Sequence, residues 1–557
     1  MATSIEMPKL SAVAHVETMA SQTSQKDDEK IDGVADPKKM DDEPEILESH
    51  FAHVGFFKLV RLFWRVNLIA LFALSGALFD GYAQNLPGSI AANSSFIATF
   101  GTVKSAATGA KALNAQYVSA WGGITSGAQV ISMVVGAFLS DRFGRKFNLY
   151  SVSFFMAVAL VLELTAKNWI FFLMARMFAG WATGIAKTTL PCYVAEIAPT
   201  GLRSALLTMF SFWYAMGQFA VAIALQIVQQ HKLSWRNAFF SELAFFGIFV
   251  PVTILLPESP WYYAKKKQHE RAKAALQRLN GAVPGYDVEH EYAVIAEEVI
   301  RTDALQQKQA AVAWVEVFKD ANARRTYISF LPLATQQLVG ASLVFSYLSY
   351  LFGLAGVSNP FLVTIASSTI LIGFLIIASL TIDKLGRRPL LLTTLTIITL
   401  CNLFMGVVGT LAQRNDNLFT SAQSAAAVAL SCIWVAAYAM GPAPMGYAFL
   451  ADTSTPVLRA KTTGFASALT GLFALIFNYS TPLMISTQDA GWGIRVGYFY
   501  APLGLITLIL TYFTIPETTG RSYQELDELF EARTPARKFR STLTTVQIAE
   551  RNAADTI

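Results

Sequence analysis

The sequence predicts an all-α membrane protein with twelve transmembrane helices in two pseudo-symmetric six-helix bundles, and two observations support this fold class. First, 54% of its 557 residues are hydrophobic and only 15% are charged, with a mean hydropathy of +0.42, whereas a soluble domain carries roughly 25% charged residues. Apolar runs of about 20 residues recur, each able to cross the bilayer as one helix. Second, the charged hexapeptide 141–146 returns at 383–388. A motif repeated between apolar segments indicates two related halves.

The elements follow in chain order. Residues 1–55 mix charges of both signs with few large apolar groups, which predicts a disordered tail. We expect an N-terminal bundle over 56–256, a charged linker of short cytosolic helices over 257–325, a C-terminal bundle over 326–516 and a polar tail over 517–557. Helix 1 is expected to end near Leu86, before an outer loop from Pro87 to about Val118. The remaining helices are predicted at 118–140, 147–166, 169–196, 204–229, 237–256, 326–352, 361–382, 389–412, 422–450, 460–484 and 495–516.

The placement of charge predicts the orientation. Basic residues cluster at 142–146, at Arg203 and along the linker, so the positive-inside rule puts these segments and both termini in the cytosol, and we expect a plasma-membrane protein. The net charge of +5 forms no stripe suited to a nucleic acid. All three cysteines lie in apolar runs, which argues against a metal site. No cofactor is expected, and the absence of a His, Cys or Ser constellation with catalytic spacing argues against an enzyme.

Three short motifs occur in the same order in each half. They are the hexapeptide, an acid seven residues before an arginine, and a Pro-Glu pair, and the two copies are offset by 242, 256 and 259 positions. Such charges at the bundle ends can form ion-pair networks that hold one conformation and break in another. The predicted gate residues are Asp141, Arg142, Arg145, Glu196, Arg203 and Glu258 in the first half, and Asp383, Arg387, Asp452, Arg459 and Glu517 in the second.

With these motifs the chain resembles the sugar porter family of the major facilitator superfamily. Further motifs carry the resemblance: Arg176–Gly184 ahead of Pro191 and Tyr193, Gln336-Gln337 with Gly340, Gly441–Pro444, and Pro516–Arg521. Within the family it looks most like the fungal maltose and α-glucoside permeases, on Pro257–Trp261, Gln337–Leu343 and Tyr523–Phe530. The resemblance implies alternating access, with a sugar bound between the halves and a proton co-transported in many relatives.

Sugars bind through amide donors and acceptors together with aromatic faces. The predicted substrate-binding residues share a polar or aromatic side chain within an apolar helix; they are Gln336, Gln337, Ser342 and Tyr347 on helix 7, Tyr447 on helix 10, and Ser211 and Gln218 on helix 5. Gln336 and Gln337 have an alternative interpretation as hydrogen-bonding contacts between helices. Lys187, inside helix 4, is either functional, or lines a wet cavity or extends its long side chain toward the membrane surface.

One departure from the family concerns proton coupling. Relatives that co-transport protons carry Gly-Tyr-Asp on helix 1, but here Gly81-Tyr82 is followed by Ala83. Arg176 therefore needs another partner, since an unpaired guanidinium in the membrane is costly. Asp80 is the predicted substitute, and Asp80 with Arg176 forms the proposed proton-coupling pair; Glu163 is the alternative partner.

Two functions are open at this point. The first is sugar transport, with an α-glucoside, another disaccharide or a related carbohydrate as substrate and with or without proton symport. The second is a sugar sensor in which the cytosolic tails, bound by regulators, report a ligand-driven change of conformation. The predicted partners are accordingly a sugar, a proton, the bilayer and regulators of the N-terminal tail.

Overall fold

The computed structural model describes residues 47, 49–51, 53–104, 111–355, 357, 359–413, 419–455, 457–486, 488–545 and 547–548. Most of the predicted N-terminal tail, 1–46, and the last residues, 549–557, lie outside the described residues. Eleven helices within the described ranges are long and apolar enough to cross a membrane. With the interrupted helix 7 they make the twelve helices expected of the fold.

The first half contains six spans, of which the first is divided at Leu74. Its elements are α1 (Phe56–Leu62), α2 (Trp64–Ala73), α3 (Ser75–Ile90), α4 (Ser94–Phe100), β1 (Val103–Lys104), β2 (Lys111–Ala112), α5 (Ala115–Phe143), α6 (Arg145–Thr165), α7 (Trp169–Ile197), α8 (Thr200–Gln230) and α9 (Arg236–Leu255). The two short strands pair antiparallel, with Val103 opposite Ala112.

The prediction of an outer loop from Pro87 to Val118 was wrong. Helix α3 continues to Ile90, and α4 and the β-hairpin follow it. Asn93 caps α4, because its side chain accepts hydrogen bonds from the Ser95 and Phe96 amides. Phe96 and Phe100 then bury their rings in the core. Asn93-Ser94-Ser95 matches the acceptor pattern for N-glycosylation, but Asn93 is only 1% exposed, so the folded protein does not present this pattern at its surface.

The linker is helical, as predicted, but one of its helices is not short. It contains α10 (Pro260–Lys265), α11 (His269–Asn280), α12 (Val288–Ala311) and a 3-10 turn (Trp314–Phe318), and α12 has 24 residues. The predicted apolar face of α11 is confirmed, since Ala272, Ala275 and Leu276 are buried. Lys461 of the second half donates to the Gln309 carbonyl near the end of α12 at 2.6 Å.

The second half repeats the arrangement with two interruptions. Its helices are α13 (Asp320–Leu338), α14 (Leu348–Leu354), α15 (Pro360–Leu385), α16 (Arg387–Gln413), α17 (Ser421–Met440), α18 (Pro442–Thr453), α19 (Arg459–Ile485), α20 (Gly497–Thr514) and α21 (Tyr523–Glu531). Predicted helix 7 is broken at Gly340, which has φ +100°, and passes through a π turn at Ser342–Ser346. Predicted helix 10 is broken at Gly441, where Pro442 begins α18.

The halves meet along two pairs of helices, α5 with α19 and α8 with α15. The ends of the helices that carry the hexapeptides are called the motif end here. At the opposite end one apolar cluster contains side chains of both halves, among them Trp121, Phe172, Leu343, Tyr347 and Tyr500. Asn478 crosses between the halves there, donating to Ser126 Oγ at 2.8 Å. This packing closes the interface at the end opposite the motifs.

Parts of both predicted tails are packed against the protein. Ser49 Oγ donates to Glu291 of α12 at 2.7 Å, and the His50 ring stacks on His290. After Glu517, α21 places Leu526, Leu529 and Phe530 in a cluster with Ile328. Amphipathic segments dock in this way because their apolar faces are removed from water.

Candidate functional site

Each half places a carboxylate on the start of a helix at the motif end. Glu258 accepts hydrogen bonds from the Arg145 and Lys146 amides at 3.0 and 3.1 Å. Glu517 accepts from the Arg387 and Arg388 amides at 3.1 and 3.2 Å. A helix N-terminus has unpaired amides and a partial positive charge, which suit a carboxylate. The preceding glycines, Gly144 and Gly386, have φ +102° and +84°, a conformation that favours glycine.

An ion pair lies beside each of these carboxylates. Arg145 donates from Nε to both Glu196 oxygens, at 3.1 and 3.0 Å, and from Nη2 to Oε1 at 2.8 Å. Arg387 pairs through Nη1 with Asp452 Oδ2, which also accepts from Thr518 Oγ1 at 2.9 Å. We call Arg145, Glu196 and Glu258 the N-half cluster, and Arg387, Asp452 and Glu517 the C-half cluster. The contacts described for each cluster join three segments of its own half.

Burial and hydrogen bonding oppose each other at Glu258. Loss of water raises the pKa of its carboxyl, and the hydrogen bonds from the Ser259, Lys146 and Arg145 amides with the Arg145 charge lower it, so that the pKa remains above its ordinary value. The residue lies outside the candidate membrane spans.

The other predicted gate residues occupy varied positions. Asp141 contacts Arg145 at 3.4 Å, whereas the exposed Arg142 places its guanidinium 5.4 Å from the centre of the Phe143 ring, and its carbonyl accepts from the Tyr262 hydroxyl. The Arg203 guanidinium lies over the Trp261 ring, and Arg459 Nε donates to Ser454 Oγ at 3.3 Å. Asp383 lies near the end of α15, but its side chain is outside the described part of the structure.

The two glutamines of helix 7 both contact protein groups. Gln336 Nε2 donates to the Pro442 carbonyl at 2.8 Å, which joins α13 to the break in helix 10. Gln337 Oε1 accepts from Ser342 Oγ at 3.2 Å across the break in helix 7. The alternative interpretation, a contact between helices, therefore describes Gln336 in this conformation. Gln337 keeps its amide nitrogen for other partners.

The remaining predicted substrate residues differ in burial. Tyr347 is buried, and its hydroxyl donates to the Asn478 carbonyl at 2.9 Å in the closed end. Gln218 lines a cavity of about 10 Å³ with Asn85 and Ser367, which has room for one water molecule at most. Ser211, two turns along α8 toward the motif end, is exposed, as is Tyr447 at 65%.

The structure pairs Arg176 with Glu163, so the prediction of Asp80 as its partner was wrong. Arg176 Nη1 lies 2.6 Å from Glu163 Oε1, and Nη2 donates to the Ala83 carbonyl at 3.0 Å. The guanidinium is thus still beside position 83, but it contacts the backbone there. Glu163 reaches it because α6 packs along α7, whereas Asp80 lies on another face of α3.

A third buried acid, Glu242 of α9, was missed by the sequence analysis. It is fully buried and interacts electrostatically with Glu163 and Arg176. Neither of its oxygens has a hydrogen-bond partner among the described residues. The signal was present in the sequence, since Glu242 is an acid within the predicted helix 6. One guanidinium therefore lies near two buried acidic side chains.

Asp80 instead faces Lys187. Asp80 Oδ2 lies 3.9 Å from Lys187 Nζ, which is too long for a hydrogen bond. Lys187 Nζ also lies 5.4 Å from the centre of the Tyr214 ring. The Asp80 side chain is buried and that of Lys187 is 24% exposed. The pair lies between the halves, because Lys187 also interacts with Tyr447 of α18.

Among the described residues, His50, His290 and Glu291 form one group whose candidate ligand atoms lie within 4.8 Å of one another. The two imidazole rings stack with centroids 3.9 Å apart and 6° between their planes. Ring-nitrogen lone pairs lie in the ring plane, so two parallel stacked rings do not direct them to one point. The group serves the docking of the tail in this conformation.

Comparisons of this chain with known proteins agree on its family. The model of the family described as "Sugar (and other) transporter" matches residues 68–530. The chain is 26% identical to the MFS transporter fmqE of Aspergillus fumigatus, over 87% of this chain and 89% of that protein. It is 28% identical to the high-affinity gluconate transporter ght3 of Schizosaccharomyces pombe, over 75% and 76%. It is 25% identical to the high glucose sensor RGT2 of Saccharomyces cerevisiae, over 71% and 52%.

The fold is similar to that of a solved transporter. The inward-open xylose transporter XylE of E. coli matches with a TM-score of 0.67 and 21% identity, covering 83% of this chain and 99% of that one.

Proposed function

We propose that this chain, which belongs to the Sugar (and other) transporter family of the major facilitator superfamily, moves a polyhydroxylated solute across a membrane by alternating access. The observation that carries the proposal is the different closure of the two ends. Apolar side chains of both halves seal one end, while the ion pairs described for each cluster at the motif end join segments of the same half. Rocking the halves would open one end and close the other without breaking either cluster.

The substrate would bind between the halves. Gln337, Gln218, Ser211, Ser342 and Tyr447 remain the proposed contacts, while Gln336 and Tyr347 hold helices in the present conformation and would need to release their partners. The resemblance to α-glucoside permeases favours a disaccharide. The names of the relatives add a sugar acid, gluconate, as an alternative. The basic motif end would face the cytosol, with both termini there and the protein in the plasma membrane.

A sensor is the second candidate function, supported by the relative named as a glucose sensor. The docked segments at Ser49 and α21 offer a way for a conformational change to reach the tails. The described structure is compatible with both functions, because a transporter and a sensor would share the binding site and the change of conformation.

Uptake of radiolabelled maltose, glucose and gluconate into transport-deficient cells tests the proposal. We expect saturable uptake of at least one of them. Arg387→Ala removes the C-half ion pair and should lower the initial rate at least tenfold at equal surface expression. The matched control is Lys384→Ala, an exposed residue in the same hexapeptide. Sugar-dependent protection of the purified protein against heat, without uptake of any solute, would support the sensor and contradict transport.

A further inference from the structure

The Asp80–Lys187 pair has properties that a neutral substrate does not explain. Both oxygens of the fully buried Asp80 lack a hydrogen-bond partner among the described residues, and the ammonium is 3.9 Å away. A buried carboxylate without hydrogen bonds is costly to maintain, so an ion pair of this kind is weakly satisfied. Either partner would gain from a ligand that supplies direct hydrogen bonds.

The surroundings of Lys187 suit a ligand. Its side chain is partly exposed, and the Tyr214 ring covers one side of the ammonium, a favourable cation–π arrangement. Tyr214 also interacts with Gln218 and Asn85. Tyr447, from the other half, presents an exposed aromatic ring nearby. A cation, hydroxyls and amides thus lie together at the interface between the halves.

We propose that Lys187 binds the carboxylate of a polyhydroxylated acid, and that Asp80, released from the ammonium, takes up the proton that is transported with it. This inference rests on the proposed function and narrows its substrate class to sugar acids and related hydroxy acids.

The charges balance in this exchange. The empty site holds Asp80 carboxylate and Lys187 ammonium. The substrate carboxylate pairs with the ammonium, and an O–H bond forms between one Asp80 oxygen and a proton delivered by water. The loaded site then contains one carboxylate, one ammonium and one neutral carboxyl group. Without the proton it would contain two carboxylates for one ammonium in a low-dielectric site, which is strongly disfavoured.

No other acid or base among the described residues is placed to perform this exchange. From α8 and α18, the groups facing the pair are the phenols of Tyr214 and Tyr447, and neither is a carboxyl or an imidazole group. On α9, Glu242 interacts with Glu163 and Arg176 instead. The proton is therefore assigned to Asp80 and not to the Arg176 group.

Calorimetric titration of the purified full-length protein tests the inference, with gluconate, glucuronate and galacturonate as probes and glucose as the neutral comparison. Repeating each titration in buffers of different ionisation enthalpy counts the protons taken up. For the wild type we expect the uptake of about one proton for each sugar acid that binds. In the pH range where Asp80 is ionised in the free protein, the affinity for the acid should rise about tenfold for each unit by which the pH falls. Asp80→Asn should bind without proton uptake and with no pH dependence.

Lys187→Gln should lower gluconate affinity at least tenfold. This variant leaves Asp80 without a cation and could fail to fold for that reason. The double variant Asp80→Asn/Lys187→Gln has a neutral site and should fold. Its affinity for gluconate should be at least tenfold lower than that of Asp80→Asn. Lys167→Gln, at an exposed loop position at the opposite end, is the matched control and should bind as the wild type does.

The inference would be overturned by carboxylate binding without proton uptake, by gluconate affinity in both lysine variants within twofold of their parents, or by the failure of all three acids to bind. If glucose or maltose binds and is taken up while the acids do not bind, the proposed transport function stands and only the substrate class is wrong. If the acids bind as expected but no solute is taken up, transport fails and the site assignment stands.

Discussion

The two halves are alike at the motif end and different inside the membrane. At the motif end, each half has a carboxylate on a helix start and an arginine–carboxylate pair beside it. Inside, the first half carries five charged residues: Asp80, Glu163, Arg176, Lys187 and Glu242. The spans of the second half contain no Asp, Glu, Lys or Arg over 326–382, 389–413, 421–451, 462–486 and 496–514. The shared chemistry holds helix ends together, and the charges that could move protons or bind an anion lie in one half alone.

The largest effect should come from removing the cation that serves two buried acids. Arg176→Met leaves Glu163 and Glu242 without a positive charge and should cost about 3–5 kcal/mol of stability, because uncompensated buried charge is strongly destabilising. Thermal unfolding of the detergent-solubilised protein, with the monodisperse fraction as a second measure, would show this loss.

The matched control is the double variant Arg176→Met/Glu163→Met, which removes an ion pair as a unit. It should recover much of the lost stability, since an ion pair replaced by apolar residues of similar volume is often tolerated. A double variant as unstable as the single one would show that Glu163 is not the principal partner.

The glycines of the two hexapeptides offer a direct comparison of the halves. A Cβ on Gly386 would lie 2.9 Å from Glu517 Oε2, and one on Gly144 would approach Glu258 Oε2 more closely still. Both substitutions to alanine should cost about 1–3 kcal/mol through the backbone conformation. Gly144→Ala should cost more, because its capping carboxylate must move farther than that of Gly386→Ala.

Thermal unfolding of the two alanine variants measures that difference. Alanine in place of Gly373, which lies within α15 with open space around it, is the control for alanine substitution itself. Equal losses at Gly144 and Gly386 would mean that contact with the carboxylate does not distinguish the halves.

A smaller difference is expected between the two ion pairs. The Arg145 and Glu196 side chains are 9% and 12% exposed, whereas Arg387 and Asp452 are 21% and 25% exposed. Double-mutant cycles with alanine should give a coupling of about 1.5–3 kcal/mol for the better buried pair, as for hydrogen bonds to charged groups. The more exposed pair should give a coupling of about 0.2–1 kcal/mol. High salt should reduce this coupling by a larger fraction than that of the buried pair. A larger coupling in the second half would reverse the comparison.

The sequence predicted the features that depend on composition and repetition. Helix positions follow from apolar length, and the residues of both clusters follow from the duplicated motifs. Contacts that depend on the rotation of a helix about its axis were harder to predict. Positions 80 and 83 differ by roughly 60° around a helix, and this rotation decides whether Asp80 meets Arg176 or Lys187. The break of helix 7 at Gly340 and the burial of Asn93 depend on tertiary packing, which cannot be read from a single sequence.

Helix α12 has a consequence for how far the protein can open. A helix of 24 residues is a rod about 36 Å long. Lys265 of α10 pairs with Asp303 in its middle, and α10 in turn contacts Arg203 and the Arg142 carbonyl of the first half. Six residues farther along the same helix, Lys461 of the second half donates to the Gln309 carbonyl. The two attachments thus lie about 9 Å apart on one rigid helix, and while both hold they restrict how far the halves can separate at the motif end.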